Sequence, residues 1–141
     1  MVEVQFTVVV PRLITLEVAM PVVQNRYRGT REYALAYSAL IAAAHNIEML
    51  TYEGIARLTG LPQRGAAMAG LVGQLLGEIS EDEVNWKRPM LSALVVEKNT
   101  GQAGTGFFNI AIKLNRLSKT SKSARKEFLA KEKRALYEFW K

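Results

Sequence analysis

Few residues in this chain are of a type and spacing that could do chemistry. His45 is the only histidine and there is no cysteine, so a thiol nucleophile, a thiolate metal centre and a disulfide are all excluded. No serine partner is placed beside His45 by spacing, and it reads as a structural or exposed histidine. Glu78, Glu81, Asp82 and Glu83 form the one carboxylate cluster. Hard cations bind such oxygens, but consecutive acids at a helix end ordinarily face water, and there they oppose the C-terminal dipole. Glu97-Lys98 lacks the intervening residue of the nuclease pattern in which a carboxylate and a lysine flank one position. Gly101 to Gly106 is glycine-rich without the Lys-Ser/Thr ending of a phosphate loop. The chain therefore reads as non-catalytic, without a metal site or cofactor.

Charge is the stronger signal. The net charge is +6, and its distribution is uneven. Lys113, Arg116, Lys119, Lys122, Arg125, Lys126, Lys131, Lys133 and Arg134 are nine cations against Glu127 and Glu132, a net of +7 in one segment of a chain that is otherwise almost neutral. Such a block is the footprint expected of phosphate contact, and equally that of a solvated, solubilising tail. Ser118, Thr120, Ser121 and Ser123 interleave it, supplying hydroxyl donors or simply a loop. Arg26, Arg28 and Arg31, with Tyr27, make a second, smaller basic patch.

The elements that would present these charges are legible between Leu50 and Phe108. Thr51 can cap the free amides of TYEGIARL, Gly60 tolerates the left-handed conformation that ends a helix, and Pro62 forbids continuation. A second helix carries Met68, Leu71, Val72, Leu75, Leu76 and Ile79 on one buried face. Ala66, Gly70, Gly73 and Gly77 line its other face. Each glycine costs about 0.5–1 kcal/mol against alanine in a helix interior, which implies a close neighbour, either a groove of nucleic acid or a packed helix. After an acidic linker, Ser80 to Glu83, the run Pro89 to Val96 predicts a buried strand. Asn99, Thr100 and Gly101 supply turn chemistry, Gly104 and Gly106 a flexible return limb, and Lys98 the approach to a phosphate. Helix, turn, helix, strand and hairpin is the order of a winged helix-turn-helix.

The run LTYEGIARLTGLP followed by GAAMAGLVGQLL resembles the DNA-binding domain of alkylguanine-DNA alkyltransferases and alkyltransferase-like proteins, over about thirty (50–77) of the 141 residues. The family pattern reads roughly v-t-Y-G-e-I-A-x-x-x-G-x-p and then a-a-R-a-V-G-x-A-L. There the tyrosine and the arginine of the second helix engage the DNA backbone and the stack vacated by a flipped nucleotide, and the resemblance implies the first role for Tyr52. Aligning Val72-Gly73 with the family's Val-Gly puts Gly70 where the arginine belongs. The family's alkyl acceptor is a cysteine in a Pro-Cys-His-Arg motif directly after this domain, and this chain has no cysteine, so alkyl transfer is excluded. RPMLSALVVEKNTGQAGTGFF stands there instead. It resembles a phrase of prokaryotic and phage winged-helix proteins, L-s-A-l-V-V-x-K-x-T-G-x-p-G-x-G-F, which brings no assigned chemistry.

Flanking segments read as scaffolding. Val2, Val4, Phe6, Val8 and Val10 alternate with Glu3, Gln5, Thr7 and Val9 at the period of a half-buried strand. Leu13 to Met20 reads as a second strand, completing a hairpin that could serve as a homodimer edge. Thr30 caps a helix to about Ile47 with Tyr33, Tyr37, Leu40, Ile41 and Ala44 on one face. Gly106 to Leu114 begins another, and Ser123 caps a last one whose Phe128, Leu136, Phe139 and Trp140 read as core. Hydrophobic content of 49% and charged content of 23% mark a globular chain of one domain's length. No apolar run reaches the roughly 18 residues of a membrane span, and the N-terminus lacks a signal pattern, which predicts a cytoplasmic protein.

The sequence thus predicts an α+β, mostly helical fold. It divides into an N-terminal extension at 1–29, a winged helix-turn-helix core at 30–112 and a basic helical segment at 113–141, together one globular domain. The expected function is phosphate-directed binding of nucleic acid, duplex DNA first, with weak sequence specificity. Thr51 and Tyr52 would act from the first helix, Gln63, Arg64, Gly70, Gly73 and Gln74 from the second, and Lys98 from the wing. Lys113, Arg116, Lys119 and Lys122 would extend the footprint, and only Gln63, Arg64 and Gln74 are suited to base edges. The competing expectation is a protein-interaction module of a phage-related or defence assembly, with the glycine face and wing docking a partner chain.

Overall fold

The computed structural model describes residues 21–141; the expected N-terminal hairpin and homodimer edge lie outside them. Helix α1 (Arg31–Asn46) starts where the Thr30 hydroxyl accepts the Tyr33 amide and ends at Ile47, in the left-handed region with φ 56°, whose N–H closes on the Ala43 and Ala44 carbonyls. Strand β1 (Leu50–Thr51) leads directly into α2 (Tyr52–Thr59). The Thr51 hydroxyl accepts the Gly54 amide at 2.9 Å, and Gly60, with φ 81°, ends the helix. After the Pro62 turn, α3 (Gly65–Asn85) buries Val72, Leu75, Leu76 and Ile79. A 3-10 turn (Leu91–Leu94), strand β2 (Val95–Val96), α4 (Thr105–Lys113) and α5 (Lys122–Phe139) complete the order.

Among the described residues the fold is mostly helical with one small sheet, in which β1 and β2 run parallel, Leu50 opposite Val95 and Thr51 opposite Val96. A single hydrophobic cluster joins every helix: Leu40 of α1, Ile55 of α2, Leu75 and Ile79 of α3, Leu91 and Leu94 of the 3-10 turn, Phe107 of α4 and Leu136 of α5. Among the described residues no helix is long and apolar enough to cross a membrane.

Four local expectations change. Ser80 to Glu83 is no linker, because α3 continues to Asn85; its acids find buried partners that make the extra turns stable. Pro89 to Val96 is strand only at its last two residues, since the fully buried Leu91–Leu94 coils into a 3-10 turn. The wing is a loop: Gly101 N–H bonds the Glu97 carbonyl at 2.7 Å and Glu97 N–H the Gln102 carbonyl at 2.8 Å, after which the chain enters α4 with no return strand. Finally, α5 is capped by Ser121, whose hydroxyl accepts the Ala124 amide, two residues before the expected Ser123. In α5, Leu136 is buried as expected, whereas Phe139 at the helix end is 52% exposed.

Candidate nucleic-acid interface

A half-open groove of about 1110 Å³ runs between α3 and α4. Gly73, Gly77 and Ser80 of α3 form one wall, and Thr105, Asn109 and Lys113 of α4 the other. The last three stand at i, i+4 and i+8, so one helical face carries all of them. The 97–104 loop and the start of α2 close one end, where Lys98, Tyr52 and Glu53 meet. Gly104 leads into α4 without a side-chain cap; the Phe107 amide bonds the Gly104 carbonyl at 3.1 Å, and exposed Thr105 and Gly106 carry the remaining first-turn amides.

Glycines set this geometry in two different ways. At Gly70, Gly73 and Gly106 an added Cβ would meet nothing within 4 Å. The glycine face of α3 therefore does not pack on α1, and Gly70 and Gly73 meet no neighbouring helix. At Gly77 a Cβ would lie 3.3 Å from Ile110 Cδ1, so this residue lets α4 close on α3. At Gly104 it would lie 2.8 Å from the Tyr52 hydroxyl. Burial raises the Tyr52 phenol above its ordinary pKa, a hydrogen bond from the Gly104 amide opposes that, and the Glu97 charge adds to it.

The acidic cluster is inward-facing. Glu78 accepts the amides of Arg26, Tyr27 and Arg28, at 2.9 to 3.1 Å, and the Gln74 side chain at 2.8 Å. Burial works to raise the Glu78 carboxyl, but those hydrogen bonds prevail and hold it below the ordinary glutamate range. Glu81 accepts the amides of Val22 and Val23 and pairs with Arg28 at 2.6 Å. Asp82 takes Arg28 and the Tyr33 hydroxyl, while Glu83 takes Arg88 and the Tyr37 hydroxyl. Glu78, Glu81 and Asp82 bind residues 22–28 along α3 as a strap whose Val22, Val23 and Gln24 edge the groove. Arg28 is consequently unavailable to the small basic patch expected with Arg26 and Arg31.

The groove brings together Tyr52, Gly73, Gln74, Lys98 and Lys113. Thr51 is occupied as a cap, and Gln63, Arg64 and Gly70 are exposed outside the groove lining. Gln74 has its amide nitrogen engaged by the Gln24 carbonyl at 2.6 Å and by Glu78. Lys98 pairs with Glu53 at 3.4 Å. Arg116 pairs at 2.6 Å with Glu132, a buried carboxylate that also accepts the Met90 amide. Lys119 and Lys122 are exposed around the start of α5. Asn99, Thr100, Thr105 and Asn109 line the groove without having been expected to. The period-four row Thr105, Asn109, Lys113 was the available signal for two of them. No protein-family model, curated protein or solved structure matches the chain.

Proposed function

We propose that this chain is a non-catalytic, cytoplasmic nucleic-acid-binding protein that engages duplex DNA chiefly through phosphates, with weak sequence preference. In this reading α2 and α3 act as a helix-turn-helix, the 97–104 loop stands where a wing would, and α4 and α5 extend the contact. One observation carries it. Lys113, Lys119, Lys122, Lys126, Lys131 and Arg134 are exposed, and none is ion-paired with a carboxylate among the described residues. Six unneutralised cations in the C-terminal third concentrate positive potential, and each that meets a phosphate releases counterions. The uncapped amides of α4 support the same chemistry.

The test is the salt dependence of duplex binding. Changing Lys113, Lys119, Lys122 and Lys126 together to Gln should weaken binding for every sequence and flatten the log K against log salt slope by about 0.9 per lost contact, roughly 3 to 4 units. Arg116 is left intact because it neutralises Glu132. Unchanged affinity and slope at matched melting temperature would remove this segment from the interface. A protein-docking role has one observation of its own, the exposure of Ile47 (70%) and Trp86 (71%), apolar surface that a partner chain would cover. Duplex binding that is absent at low salt favours that second reading.

A further inference from the structure

Glu53 is the second residue of α2, where a helix N-terminus attracts anions. Its Oε1 accepts Arg57 at 3.1 Å and Lys98 at 3.4 Å, so one carboxylate is shared by a cation one turn along the helix and a cation of the 97–104 loop. Both cations reach into solvent, with side chains 64% and 67% exposed, whereas the Glu53 side chain is 27% exposed. Glu53, Tyr52 and Lys98 also line the same end of the groove. Two cations converging on one point are an arrangement that would hold a phosphodiester oxygen. Here a carboxylate of the chain itself already occupies it.

We propose that Glu53 is an internal competitor for phosphate: it holds Lys98 and Arg57 away from the nucleic-acid backbone, so that the native chain neutralises fewer phosphates than its cations would allow. The proposal rests on the nucleic-acid reading above and assigns Glu53 the setting of its strength. Glu53 acts twice, by occupying the two cations and by repelling the incoming phosphate. It is a positioning residue for Lys98 and Arg57, so its effect must appear in the number of counterions released and not only in stability.

The experiment uses the full chain and a duplex of arbitrary sequence, with affinity read by fluorescence anisotropy across a series of KCl concentrations and melting measured in parallel. Glu53→Gln should tighten low-salt binding by about fivefold, the scale of one or two exposed ion pairs. It should also steepen the log K against log salt slope by about 0.9 per freed cation, up to about two units. Adding Lys98→Gln to that variant should remove about half of the steepening. Glu53→Asp, which keeps the charge, should behave as the native chain. If the native chain binds duplex and Glu53→Gln leaves the slope unchanged, the proposal is overturned while the nucleic-acid reading stands. A lowered melting temperature with that unchanged slope would mark Glu53 as a simple tie between loop and helix. If neither protein binds duplex at low salt, the nucleic-acid reading itself fails and takes this proposal with it.

Discussion

Replacing Gly70 and Gly73 by alanine should stabilise the protein. Both sit in the interior of α3, where glycine costs about 0.5–1 kcal/mol relative to alanine because it loses more backbone freedom on folding. The gain is opposed only if the new methyl group collides, and at both positions it meets nothing within 4 Å. The double variant should therefore gain about 1–2 kcal/mol, which for a chain of this size corresponds to roughly 3–7 °C in melting temperature. Gly77→Ala is the internal control. Its Cβ would lie 3.3 Å from Ile110 Cδ1 and 3.5 Å from Val23 Cγ1, so the helical gain is offset by crowding and the melting temperature should hardly rise. Calorimetric melting of the three proteins reads the stability claim. Duplex affinity on the same samples tests the proposed function, under which methyl groups on this face should weaken binding while the fold becomes more stable. A double variant that melts earlier than the native chain would refute the open-face geometry and point to something packed on those glycines, such as a second copy.

Two further outcomes test the scaffold. Glu78→Gln should cost about 2–4 kcal/mol at neutral pH, because amides that converge on a buried carboxylate would face a neutral side chain carrying its own donors. The folded carboxyl titrates below its ordinary value of 4.5. Its contribution is thus complete above about that pH and is lost as pH falls through the folded value, and urea titrations should show a shallower acid limb in the variant. An equally steep acid limb in both proteins would show that Glu78 does not anchor the strap. Ile47→Gly should raise stability by about 1 kcal/mol, since a β-branched residue is strained at φ 56° and this side chain, 70% exposed, loses little burial on removal; a fall in melting temperature would mean that the isoleucine has a packing role.

What the sequence made legible is what its local chemistry decides. Thr51 and Gly60 bracket α2 and Thr30 opens α1 because a cap needs only a hydroxyl and an amide three residues away. The buried face of α3 followed from spacing for the same reason. What escaped was decided by partners distant in sequence. Glu78, Glu81 and Asp82 look like a solvated helix end until residues 22–28, some fifty positions earlier, supply the amides and the guanidinium that bind them. The apolar run before β2 reads as strand, yet its pairing is limited to the two residues that β1 can match in parallel.

The same distinction governs the cations. Arg116 and Lys119 stand three positions apart in one basic run, and by type and spacing they are interchangeable phosphate contacts. Arg116 neutralises buried Glu132 from the far side of the α4–α5 turn, whereas Lys119 is exposed with no ion-paired carboxylate among the described residues. Lys98 is intermediate, exposed but held by Glu53. A basic block therefore overstates the charge that a partner meets, and the carboxylates that intercept it, Glu132 from the core and Glu53 from the groove, determine which cations are left to bind.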